Sequence, residues 1–212
     1  AEANDQTVNL NDGYTQDTLI KIGSDLTDNI NNNANVNLTM QANSGAITTD
    51  LDIVGSLGTS DTLNIINAAD GTNTFDVNND VFETINVVAV GTSIATTLAM
   101  PAYDTSGTGG AGVTTVTINA SSLSATNTLV LNNATVDSNM AVTSGAGADA
   151  ITLGTGADTV TSGAGNDTIT ATTGTADGVS TINGGDGTDI LIAGSGADIL
   201  NGDAGVDTMS AG

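Results

Sequence analysis

Cysteine and histidine are absent from this sequence, lysine occurs once, at Lys21, and arginine not at all. Without cysteine no disulfide can staple the fold, which suits an extracellular protein that does without them but equally many cytosolic chains. Without histidine or a thiol, the usual proton shuttle and sulfur nucleophile are missing. No G-x-S-x-G elbow replaces them. Paired aspartates can do acid–base work, yet nothing basic and almost nothing aromatic is there to hold an acidic or sugar substrate, so the sequence reads as a non-enzyme. The shortage of cations also argues against nucleic acid, whose phosphates would go unneutralised, and against a bare anionic bilayer. No run of about 18 apolar residues occurs, so no membrane-spanning helix is expected. No charged and then apolar leader opens the chain, so any Sec signal is expected to have been removed or never to have existed. Ala211 and Gly212 are expected to begin a further unit of a longer protein.

What the sequence does contain is acid: Asp+Glu number 24 against the one lysine, for a net charge of -23. Self-repulsion of that size resists a compact state unless counter-ions from solution take part, so dissolved cations are the first partner to consider. Acidity with only 2% aromatic residues would suit a disordered chain, an alternative kept for the metal-free chain only, and two features argue otherwise. Hydrophobic residues make up 38%, and Val, Ile, Leu and Thr fall in short alternating runs that read as half-buried strands.

From Ser144 onward the chain divides every nine residues into SGAGADAIT, LGTGADTVT, SGAGNDTIT, an irregular stretch, GGDGTDILI, AGSGADILN and GDAGVDTMS. Asp149, Asp158, Asp167, Asp189, Asp198 and Asp207 hold one frame, each followed two residues later by Ile151, Val160, Ile169, Leu191, Leu200 or Met209. A flexible Gly/Ser linker has no reason to keep such a frame. The irregular stretch, Ala171 to Asn183, is one unit with four extra residues, a bulged repeat in which Ile182 takes the apolar position and Asp177 is displaced.

Upstream the nonapeptide vanishes, but apolar pairs at i and i+2 continue: Leu38/Met40, Leu51/Ile53, Leu63/Ile65, Phe75/Val77, Ile85/Val87, Val116/Ile118, Leu129/Leu131 and Met140/Val142. One more strand is expected near Leu98. Val8/Leu10 and Leu19 to Ile22 are expected to be strand or a short helix. The expected division is a looser N-terminal solenoid over 1–112 with a Gly-rich loop near 101–112, continuing strands over 113–143, and a repeat roll over 144–212. Asp76-Val-Asn78-Asn-Asp80 has the opening spacing of an EF-hand loop but lacks its glycine and distal glutamate, and it reads as an acidic turn. So do Asp50/Asp52 and Asn11-Asp12-Gly13. Glu83 reads as a solvated strand residue.

A nonapeptide of the form G-G-x-G-x-D-x-U-x, with U a large aliphatic, is a parallel β-helix repeat. Its glycine turn costs ordering entropy, and one buried aliphatic per unit returns about 1.5 to 3 kcal/mol against about 1 to 2 kcal/mol for each residue ordered. A hard divalent cation supplies the missing stabilisation, because calcium takes 6 to 8 oxygens and tolerates irregular geometry. The candidate ligands are the turn carbonyls and carboxylates of Gly145, Gly147, Asp149, Gly154, Gly156, Asp158, Gly163, Gly165, Asp167, Asp177, Gly185, Gly187, Asp189, Gly194, Gly196, Asp198, Gly205 and Asp207. Turns on one side pair Asp149 with Asp167, Asp167 with Asp189, and Asp189 with Asp207. Asp158 and Asp198 lie on the other side, each facing the bulged loop. Binding there is folding free energy.

Residues 144–210 resemble the RTX, or hemolysin-type, calcium-binding repeats, with GGDGTDILI as the nearest unit. The upstream run, SDTLNI followed by VFETINVVAV and Thr-rich strands, is similar to the β-solenoid regions of Gram-negative S-layer proteins of the Caulobacter type. Together these imply an all-β, right-handed parallel β-solenoid ending in a calcium β-roll. They further imply type I secretion, calcium-dependent folding outside the cell and self-association into a surface lattice, with outer-membrane polysaccharide as an anchor through a region not in this sequence. The rivals are an RTX adhesin or surface filament segment and the calcium-binding tail of a secreted hydrolase or toxin.

Overall fold

The computed structural model describes residues 5–10, 18–22, 37–42, 48–53, 62–68, 71–78, 82–100, 115–133, 138–171 and 178–211. Among them eighteen strands succeed one another with no helix between. The first eight are β1 (Asp5–Leu10), β2 (Thr18–Ile22), β3 (Asn37–Ala42), β4 (Thr48–Ile53), β5 (Thr62–Asn67), β6 (Gly71–Asn78), β7 (Thr84–Ala89) and β8 (Ile94–Ala99). Then follow β9 (Thr115–Asn119), β10 (Thr128–Asn132), β11 (Asn139–Thr143), β12 (Ala150–Thr152) and β13 (Thr159–Thr161). The last are β14 (Thr168–Thr170), β15 (Thr181–Asn183), β16 (Ile190–Ile192), β17 (Ile199–Asn201) and β18 (Thr208–Ser210).

Odd strands form one nine-stranded sheet and even strands the other, each strand pairing in parallel with the strand two before it. That alternation is a β-solenoid with two strands per turn, and it needs no crossover helix because each return strand belongs to the opposite sheet. Leu19 to Ile22 fall in strand β2 rather than a helix. Sheet pairing runs on between successive segments, β7 with β9 and β11 with β13.

Period-2 burial explains why these residues make strands. Leu63 and Ile65, Ile85 and Val87, Val116 and Ile118, Leu129 and Leu131, and Met140 and Val142 all point inward, and one apolar cluster runs from Leu63 to Leu191. Three polar side chains on the inner faces of the upstream coil bond to one another: Asn67 Nδ2 donates to Thr96 Oγ1 at 2.9 Å and Asn73 Nδ2 to Asn67 Oδ1 at 3.1 Å. Glu83 departs from expectation: it sits half-buried at a bend just before β7, and its carbonyl accepts the Thr117 amide at 2.8 Å.

The register joins the two halves of the chain. Leu129 of β10 is followed by Leu131, which pairs with Ile151, so Leu129 stands level with Asp149. By the same count Met140 stands level with Asp158. The nonapeptide turns are thus the upstream coil with the first member of each inward pair changed from aliphatic to aspartate. That change shortens the strands from five residues in β9, β10 and β11 to three in β12 through β18.

Candidate metal centre

Two columns of turns flank the roll, one leading into the even strands and one into the odd. The first stacks Gly145, Gly147 and Asp149 under Gly163, Gly165 and Asp167, then Gly185, Gly187 and Asp189, then Gly205 and Asp207. The second carries Gly154, Gly156 and Asp158, and further on Gly194, Gly196 and Asp198. Asp177 lies outside the described residues.

In the first column the turns bond directly to one another. Ala164 N donates to Gly145 O at 3.2 Å, Asp186 N to Gly163 O at 2.9 Å and Ala204 N to Gly185 O at 2.9 Å. Such close stacking dictates glycine. A Cβ on Gly165 would overlap the Gly147 carbonyl, and its φ of 119° is closed to other residues. Two turns on, Asp203 takes the place held by Gly163 and Gly185; its φ of 60° is in the left-handed region that aspartate tolerates, and Asn201 Nδ2 holds its Oδ1 at 2.8 Å.

Each aspartate reaches back one turn. The Asp149 amide donates to Asp167 Oδ1 at 2.8 Å, the Asp167 amide to Asp189 Oδ1 at 2.8 Å, and the Asp189 amide to Asp207 Oδ1 at 3.0 Å. Asp149, Asp158, Asp167 and Asp189 are all buried, with no more than 2% of their surface exposed. The Oδ2 atoms of Asp149, Asp167, Asp189 and Asp198 are buried and make no hydrogen bond. A buried carboxylate with one oxygen unmatched and no cation beside it costs several kcal/mol. A row of them is untenable at neutral pH without a positive partner from solution.

The donor set fits a hard divalent cation. Among the described residues no three acidic side chains converge on one point, so carboxylates alone cannot fill a shell. Backbone carbonyls must supply most of the oxygens, and the glycine turns bring those carbonyls within a stacking distance of one another. Oxygen donors in an adaptable loop suit calcium rather than zinc or copper.

The second column is interrupted. Asp158 N donates to Ser180 Oγ at 3.2 Å and Ser180 N to Asp198 Oδ1 at 2.8 Å, so Ser180 stands where the column would hold an aspartate. Sequence reasoning missed it by looking to Asp177 for the acid of the bulged repeat, although counting two residues back from Ile182 reaches Ser180. A second missed feature is a chain of hydroxyls: Ser144 Oγ donates to Ser162 O at 2.7 Å and Ser162 Oγ to Gly184 O at 2.5 Å. These serines tie the starts of successive turns together. Ser180→Asp is expected to strengthen the second column and move the midpoint of a calcium titration, followed by circular dichroism, to about threefold lower calcium or further. An unchanged midpoint would deny Ser180 its place in the column.

Burial also bears on the protonation of Asp149 and Asp167. It lifts the Asp149 carboxyl above its usual range, against the pull of the Leu129 amide. It pushes Asp167 from 3.8 up to about 6, helped by repulsion from Asp149 and Asp189 and opposed by the Asp149 amide. A carboxyl with a raised folded pKa binds its proton more tightly when folded. That contribution to stability is complete below the unfolded value of 3.8 and is lost as pH rises through about 6. In chelator the roll should therefore gain β signal on acidification through that window. In calcium the titration midpoint should rise over the same window, because protons compete for the carboxylates. Circular dichroism at several pH values checks both signs.

The hemolysin-type family model, described as an RTX calcium-binding nonapeptide repeat (4 copies), matches residues 143–175 and again 175–209. No curated protein and no solved structure matches the chain.

Proposed function

Residues 143–209 are RTX calcium-binding nonapeptide repeats, and from that premise we propose that the chain is a structural, non-catalytic segment of a calcium-dependent bacterial surface layer. The observation that carries this reading is the column of buried aspartates whose Oδ2 atoms lack partners. Folding tied to calcium in this way suits a protein that crosses the envelope unfolded, where calcium is scarce, and orders itself outside, where it is abundant. The cation partner is calcium, and RTX repeats are typical of secreted extracellular proteins. Among the described residues no helix is long and apolar enough to cross a membrane.

Assembly into a lattice draws support from the outer face of the roll. Strand β16 turns Ile190 and Ile192 outward, 42% and 36% exposed, where its neighbours β14 and β18 carry threonine and serine in register. Val179 and Ile199 are exposed as well. Apolar side chains at positions elsewhere filled by threonine suit contacts between copies. The lack of histidine and cysteine supports a role without catalysis.

Purified protein examined by electron microscopy with and without calcium tests the reading. Ordered sheets formed only with calcium are the expected result. Isolated rods at every calcium concentration would replace it with a spacer of the adhesin kind.

A further inference from the structure

The structure assigns one more cation position, outside the nonapeptide repeats, between the loop at residues 123–127 and the turn from Gly145 to Asp149. It rests on the reading of the stacked turns as calcium sites and extends the first column by one step toward the N-terminus.

The loop, Leu123-Ser124-Ala125-Thr126-Asn127, has neither glycine nor acid, so nothing in its composition marks it. Its backbone nevertheless behaves as a nonapeptide turn does. Ala146 N donates to Leu123 O at 2.9 Å, the same bond that joins Ala164 to Gly145 and Asp186 to Gly163. A Cβ on Gly147 would overlap the Asn127 carbonyl, as one on Gly165 would overlap that of Gly147 and one on Gly187 that of Gly165. Leu123 O and Asn127 O thus take the places of Gly145 O and Gly147 O one turn earlier.

The loop can do without glycine because its shape is held from below. Asn127 Oδ1 accepts the Ile94 amide at 3.0 Å, while its Nδ2 donates to Gly91 O at 3.2 Å and to Ser124 Oγ at 3.1 Å. The side chain is fully engaged and acts as a clamp, leaving the main-chain carbonyl of Asn127 facing the next turn.

The carboxylate for this gap is that of Asp149. Its Oδ1 accepts the Leu129 amide at 2.7 Å, so the group lies on the side of the earlier loop. Its Oδ2 is buried and has no hydrogen-bond partner, on a residue that is 2% exposed. Leu129 stands at the aspartate register of that loop, so only one of the two turns bounding this gap carries an aspartate, where both turns bounding each following gap of the column do. With less charge the position takes the same class of ligand, a hard divalent cation of calcium's size, more weakly than its neighbours. It is the last to fill, and filling it closes the acidic column against the apolar coil beneath.

Anomalous difference maps from crystals of the full chain grown in calcium test the assignment. The expected result is a peak between the Asn127 carbonyl and the Asp149 carboxylate, in addition to those between the nonapeptide turns and lost before them as calcium is lowered. Asp149→Asn should abolish that peak and keep those between the turns of Asp167, Asp189 and Asp207; the unmutated map decides alone if the variant does not fold. Peaks between the nonapeptide turns with none beside Asn127, at saturating calcium, would overturn this position and leave the proposed function standing. No peak anywhere would overturn the reading on which it rests.

Discussion

Excess chelator is expected to dissolve the roll from Ser144 to Ser210 while leaving the upstream coil in place. The two regions share their sheets but differ in what fills the first inward position of each strand. In β5, β7, β9, β10 and β11 that position is Leu63, Ile85, Val116, Leu129 or Met140, each at most 1% exposed. Each of these strands then buries two aliphatic side chains, worth about 1.5 to 3 kcal/mol apiece, and needs no ion. Just before β12, β14 and β16 the same register position holds a buried aspartate, which withdraws the apolar contribution and adds a desolvation cost. Circular dichroism should show partial loss of β signal on chelation and full recovery with calcium. Proteolysis of the chelated protein should cut after residue 143 and spare strands β5 to β10. Loss of the whole signal would mean that the upstream coil depends on the roll, and no loss would mean that the roll folds without calcium.

The second large effect is expected from Gly165→Ala. Residue 165 sits in the middle of the first column, and a single methyl there meets the Gly147 carbonyl and the Ala148 amide nitrogen at once. A non-glycine residue outside its allowed φ costs about 1 to 2 kcal/mol before any overlap. Relief of the overlap would spread the turns apart and take the carbonyls on both sides out of reach of a shared ion. The calcium midpoint should rise at least about tenfold, the equivalent of 1.4 kcal/mol. Ala148→Ser, two residues before β12 and exposed to solvent, is the matched control and should leave the midpoint unchanged. A tolerated Gly165→Ala would show that the turns are not packed as closely as the structure has them.

Much of this was legible in the residues because a solenoid repeats its physics. An aspartate and an aliphatic two residues apart, recurring every nine, announce a turn and an inward side chain. The upstream pairs at i and i+2 announce the same strand without the turn. What stayed hidden was the equivalence of the two patterns, since nothing in Leu129-Val-Leu131 or in Asp149-Ala-Ile151 alone says that leucine and aspartate share a register. Ser180 was hidden by the four extra residues of the bulged repeat, which drew attention to the nearest acid. The loop from Leu123 to Asn127 was hidden more deeply. Its turn-like backbone is imposed by Ile94, Gly91 and Ser124 through the Asn127 side chain, and such distant partners leave no local signal.

Hydrogen exchange at the Asp149, Asp167 and Asp189 amides, each bonded to the carboxylate one turn ahead, probes the calcium-held column most directly. Strong protection in calcium and its collapse in chelator, with the amides of β5 and β7 protected in both, is the predicted outcome. Equal protection of the three aspartate amides with and without calcium would contradict the account.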